Sequence, residues 1–80
     1  MALYKHVDYL TRSTAEIFDQ ENKPGVAAPR SGIFRCVGCG REVASNQEES
    51  LPPRNHHKHT RQQGHIRWRL IVYANHQPST

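Results

Sequence analysis

Two groups of side chains in this sequence could do chemistry. Cys36 and Cys39 are its two cysteines, set in Cys36-Val37-Gly38-Cys39-Gly40. His56, His57 and His59 follow in Asn55-His56-His57-Lys58-His59. Thiolates at i and i+3 on a tight turn can both point at one ion, and Gly38 and Gly40 allow the backbone angles such a turn needs. Zinc takes four ligands in a tetrahedron and suits sulfur and imidazole. The cysteines supply two, so the histidines must supply the others. His56 and His59 repeat the i, i+3 spacing, and the expected ligand set is Cys36, Cys39, His56 and His59. His57 is the alternate ligand, because His57 and His59 face one way if the segment is extended. The adjacent pair His56 and His57 is the least convenient.

Two other uses of the same residues compete with a structural Zn2+. A redox Cys-x-x-Cys usually opens a helix after a strand, which lowers the thiol pKa. Here glycines flank Cys39 and a β-type run, Glu42-Val43-Ala44-Ser45, follows. A catalytic zinc would keep one position for water and need an acid or base nearby. Glu48 and Glu49 are the candidates, in a stretch that reads as solvated loop.

The chain's arithmetic favours the structural role. It has 80 residues, 35% of them hydrophobic. Below roughly 70–80 residues a core alone rarely gives more than ~3–5 kcal/mol, so a staple is expected. A structural zinc supplies about 10–16 kcal/mol of apparent binding energy. Residues 46–65 contain one large apolar side chain, Leu51. A loop of that length in a compact domain needs something to order it.

The net charge is +4. Residues 31–80 carry seven basic and three acidic side chains, while residues 1–30 carry four of each, so the whole excess lies with the cysteines. Arg67, Arg69 and Tyr73 alternate along one strand and form a possible nucleic-acid face, able to hold phosphates and stack a base. The competing reading is a solvated sheet face. His6, His65 and His76 are isolated and read as exposed, although His65 could substitute as a fourth ligand.

The elements that must position these groups are short. Ile33-Phe34-Arg35-Cys36 enters the cysteine turn and Glu42-Val43-Ala44-Ser45 leaves it, making a hairpin. Ile66, Trp68, Leu70 and Val72 alternate with Arg67, Arg69, Ile71 and Tyr73, the strongest strand signal in the chain. Strands near 32–36, 42–46 and 66–73 are expected to form a three-stranded antiparallel sheet. Residues 50–60 fold back to deliver imidazoles. Ser13 and Glu16 form a capping box before Ile17 and Phe18, and Asn22-Lys23-Pro24-Gly25 stops that helix, so a short one near 14–21 is expected. Pro24, Gly25, Pro29 and Gly32 mark a linker. The domain reading is a mostly flexible arm over 1–30, a metal-stabilised, mainly β domain over 31–75 and a disordered tail over 76–80.

Ser31-Gly32-Ile33-Phe34-Arg35-Cys36-Val37-Gly38-Cys39-Gly40, followed by Leu51-Pro52-Pro53, resembles the first knuckle and the lead-in of small bacterial zinc-ribbon proteins. The resemblance covers residues 31–73. Those ribbons commonly carry a second Cys-x-x-Cys after the prolines; here Arg54 and His57 stand at the matching positions, a registration that would make His57 a ligand. A weaker likeness to methionine sulfoxide reductase B is confined to the knuckle and hairpin. The Gly-Trp-Pro motif, second cysteine pair and catalytic cysteine of that family have no counterpart here.

No apolar run approaches the ~18 residues of a membrane span, and Met1 to Tyr9 lacks a signal-peptide core, so a cytoplasmic protein without a membrane partner is expected. The leading function is a zinc-stabilised, non-enzymatic binding or adaptor module with a protein partner, the Ile17/Phe18 helix offering one contact that folds on binding. A nucleic-acid-binding protein and a thiol redox or zinc-dependent enzyme are the alternatives.

Overall fold

A computed structural model describes residues 1–53 and 55–74. The expected tail at 76–80, with His76 and Arg54, lies outside the described residues.

The fold is small, mostly β, and antiparallel throughout. Among the described residues, four strands form one open sheet: β1 Glu21–Asn22, β2 Gly32–Cys36, β3 Glu42–Ser45 and β4 Trp68–Tyr73, in the order β1-β4-β2-β3. The three expected strands are present, and β1 adds a fourth at the edge of β4. β2 and β3 form the expected hairpin, with Phe34 opposite Val43 and Arg35 opposite Glu42.

Period-2 alternation puts Phe34 and Cys36 of β2 and Trp68 and Leu70 of β4 on one face, and all four are buried. Ala28, Leu51 and Ile66 complete that core, with Ile17, Phe18 and Val43 packed on it. The alternation is interrupted once. Phe34 stands opposite Leu70, but Ile33 stands opposite Val72, so β4 carries one extra residue there. Such a bulge reverses which face later residues occupy. Val72 therefore leaves the apolar stripe and is only half-buried. Gly32 is needed beside the bulge, because a Cβ there would sit 1.9 Å from the Val72 carbonyl oxygen.

The segment before residue 31 meets the stretch poor in apolar residues. Ala27 bridges Ser50 in antiparallel fashion. Leu51 N–H donates to Val26 O at 2.8 Å, Ala28 N–H to Glu49 O at 2.8 Å, and Glu48 N–H to Ala28 O at 2.8 Å. This ladder carries Leu51 into the core without any local strand signal.

In place of a helix near 14–21 there is a 3-10 turn, Glu16–Phe18. Ser13 Oγ accepts from Ala15 N–H at 3.1 Å, and the expected capping box does not form. A helix nucleus fixes several residues for one hydrogen bond, and the stop at 22–25 leaves too few turns to recover that cost. The single turn still seats Ile17 and Phe18 on the core, so these two side chains are not a free contact surface. Further upstream, Leu3, Tyr4, Val7 and Tyr9 are exposed.

Candidate metal centre

Cys36 ends β2, and the turn after it is tied on both sides. Cys36 N–H donates to Arg41 O at 2.7 Å and Gly40 N–H to Cys36 O at 2.8 Å. Val37 N–H donates to Arg67 O at 2.8 Å, which fastens the turn to the residue before β4. Cys36 is buried and Cys39 exposed.

The imidazoles arrive on the segment between Leu51 and β4. Its far end is closed by a 3-10 turn, Arg61–Gln63, whose capping box pairs Thr60 with Gln63; Thr60 N–H donates to Gln63 Oε1 at 2.7 Å. This turn brings the Gly64 carbonyl back to His59, whose Nδ1–H donates to it at 2.8 Å. His59 thus presents Nε2 to the cysteines. Carbonyl partners of this kind fix the tautomer and orientation of ligating histidines.

Four donor atoms converge: Cys36 Sγ, Cys39 Sγ, His57 Nε2 and His59 Nε2 all lie within 4.8 Å of one another. Cys36 Sγ is 3.3 Å from His59 Nε2, Cys39 Sγ is 3.2 Å from His57 Nε2, and the two Nε2 atoms are 3.0 Å apart. These four residues could hold a metal ion. Of the imidazoles singled out from the sequence, His57 and His59 are brought to the cysteines. His56 stands outside, with its Nδ1 2.9 Å from His57 Nδ1. His65 lines a separate groove with Glu21, Pro24 and Ile66, and His6 lies edge-on to Tyr9.

The electrostatics favour the ligand forms of two members. Burial alone would push the Cys36 thiol up, but the backbone N–H groups of Arg67, Cys39 and Gly38, with the Cys39 side chain, outweigh it and bring Cys36 below its ordinary value. Burial also lowers His57, and the positive potential of His59, Arg41 and His56 lowers it further, so its neutral ring is favoured.

Gly38 and Trp68 touch the histidines, contacts that the sequence reading did not give them. A Cβ on Gly38 would lie 2.8 Å from His59 Cε1 and 2.6 Å from Gln63 O, so the ring needs the space a glycine leaves. Trp68 lies edge-on to both His56 and His57, with centroids 5.9 Å away in each case, and so walls one side of the site. The signal for the Thr60–Gln63 turn was present as Thr-x-x-Gln, but no apolar run follows it to mark a helix start.

The arginine face is differently disposed. Arg69 stands opposite Arg35, whereas Tyr73, beyond the bulge, stands opposite Gly32. Counting the extra residue, Arg69 and Tyr73 fall on opposite faces. Arg69 is paired with Glu21 at 3.3 Å and Arg35 with Glu42 at 2.9 Å. Arg67 points its guanidinium toward the His65 and Gln63 carbonyls, at 3.3 and 3.4 Å.

No helix among the described residues is long and apolar enough to cross a membrane. No protein-family profile matches the chain, and no solved structure matches it. A stretch of 49 residues, 61% of the chain, is 53% identical to a protein of Escherichia coli named Protein L, and the chain spans about half of that protein's length, 55%.

Proposed function

We propose that this chain is a zinc-stabilised, non-enzymatic binding module in which Cys36, Cys39, His57 and His59 hold the ion. The observation that carries this reading is that protons cannot satisfy the contacts of the four donor atoms. Each Nε2 has one in-plane site, which is either a proton or a lone pair. His59 Nε2 lies against both a sulfur and another Nε2, and so does His57 Nε2. One directed site cannot serve two partners well. A cation at the common point takes both lone pairs and both thiolates at once. Zinc–sulfur and zinc–nitrogen bonds of about 2.3 and 2.0 Å imply ligand–ligand edges of roughly 3.3–3.8 Å. The contacts of 3.0–3.3 Å need only a small expansion to reach that range.

Four protein ligands close a tetrahedron and leave no position for a substrate or an activated water, which supports a structural ion over a catalytic one. Thiolates kept for a metal suit a reducing compartment such as the cytoplasm. The knuckle on a hairpin with a second ligand pair further along is the arrangement a zinc-ribbon likeness implies. The exposed Leu3, Tyr4 and Tyr9 offer apolar contact to a protein partner.

Native mass spectrometry with metal analysis tests the centre. One zinc per folded chain is expected, and chelation should collapse the near-UV signal of Trp68, which packs against His57. A chain that folds without metal, with the same melting temperature and Trp68 signal after chelation, overturns the proposal.

A further inference from the structure

The two inward-facing imidazoles each leave an Nδ1 pointing away from the cage. For His59 that atom meets a backbone carbonyl, which can only accept. For His57 it meets a second imidazole, the Nδ1 of His56, at 2.9 Å. Two ring nitrogens at that distance share a single proton. If the His57 Nε2 lone pair is directed at an ion, the proton sits on His57 Nδ1 and His56 Nδ1 accepts it.

We infer that His56 is a positioning residue of the metal centre: its Nδ1 accepts the His57 Nδ1–H and sets the rotation of the His57 ring so that Nε2 faces Cys39 and His59. The inference rests on the metal-centre reading above. His56 is itself held in place. Its backbone N–H donates to Pro53 O at 2.9 Å, and its ring lies at 84° to His57 and at 70° to Trp68. Trp68 is anchored in turn, because its Nε1–H donates to Pro52 O at 3.4 Å. Adjacent side chains diverge too far to serve one ion together, but they can meet edge to edge, as these two do. His56 gives His57 what Gly64 gives His59. Outer partners of ligating histidines typically contribute about 10- to 100-fold in metal affinity. His56 is exposed, so water competes with it and the lower end of that range applies.

The test compares cobalt and zinc affinity in the full-length chain and its variants, using the visible bands of tetrahedral Co2+ as the signature of the ligand set. His56→Phe keeps a ring against Trp68 but removes the acceptor. It should bind about tenfold more weakly while keeping wild-type band positions at saturation. His56→Asn, whose Oδ1 falls near the place of Nδ1, should recover most of the loss, a rescue that a packing role would not produce. His57→Phe should change the bands, because a ligand is lost. Wild-type affinity in His56→Phe overturns the inference while leaving the metal centre intact. Altered bands in His56→Phe make His56 a ligand and also overturn it. A wild-type chain without tetrahedral cobalt bands removes the centre itself, a failure visible before any variant is made.

Discussion

Gly38→Ala isolates the space the candidate metal centre needs. Gly38 does not have a left-handed φ, so alanine meets no backbone penalty there. The added Cβ would lie 2.8 Å from His59 Cε1, 3.1 Å from His59 Nδ1 and 2.6 Å from Gln63 O. Carbon atoms pack comfortably at roughly 3.5–4.0 Å, so the ring or the knuckle must move by about 0.7 Å or more. The ring has little freedom to retreat. Its Nδ1 is bonded to Gly64 O at 2.8 Å, and the Gln63 carbonyl belongs to the capped turn. A shift of that size is a large fraction of a zinc–nitrogen bond of about 2.0 Å. Overpacking of this kind typically costs ~1–3 kcal/mol. Felt mainly by the metal-bound state, that is roughly a 5- to 150-fold loss of affinity. The assay is a competition titration against a chromophoric chelator at neutral pH. Gly25→Ala is the control: its Cβ would meet nothing within 4 Å, but its φ is +83°. It should cost about 1–2 kcal/mol of stability through backbone strain and leave metal affinity unchanged. If Gly38→Ala binds metal within twofold of wild type, the cage does not need the space its glycine leaves, and the placement of His59 is wrong.

Three further outcomes follow from the same geometry. Cys36 and His57 both sit below their ordinary values, so the folded chain favours their deprotonated forms; the stability this gives His57 is complete above its ordinary value of 6.5 and is lost as pH falls through its lowered one. Metal release and a falling melting temperature are therefore expected on acidification from neutral pH, and a flat profile down to about pH 5 would refute it. Leu51→Ala removes a fully buried side chain and should lower stability by ~2–5 kcal/mol in urea unfolding, whereas a loss below about 1 kcal/mol would mean that Leu51 is not in the core. Glu48 has a left-handed φ of 72°, so Glu48→Gly should relieve about 1–2 kcal/mol of strain against a glycine entropy cost of roughly 0.5–1 kcal/mol; a drop in melting temperature would contradict that backbone angle.

The parts of the fold that were legible in the sequence are those whose signal is local. Phe34 and Cys36 alternate within one strand, and Trp68 and Leu70 within another, so their common face follows from period 2 alone. The cysteine turn announces itself through its glycines. What was not legible depends on partners distant in the chain. Ala27 and Ser50 carry no strand propensity, yet they pair because Leu51 beside them has a core to enter. β1 consists of Glu21 and Asn22, which no periodicity could mark, and it forms because the open edge of β4 offers unpaired backbone groups. The bulge at Ile71 is equally silent. One extra residue moved Val72 out of the apolar stripe and separated Tyr73 from Arg69, although the printed alternation runs unbroken through all of them.

The histidines show where spacing arguments stop. Repeating the cysteines' i, i+3 pattern assumes that the second pair also lies on a tight turn. The turn in this segment ends early: His56 N–H closes it on Pro53 O at 2.9 Å, and beyond it neither Lys58 nor His59 has regular or turn structure. His57 and His59, two apart, both reach the cysteines, while Lys58 between them is exposed. His56 closes the turn on Pro53 and meets the cluster from outside, through His57 Nδ1. A pattern of three histidines thus divides in two, with two rings facing the cysteines and one standing behind His57. The same division explains why the segment needs so little apolar content. Its order is anchored at Leu51 on one side and at the capped Thr60–Gln63 turn on the other, and the donor atoms between those anchors face one another, not a hydrophobic core.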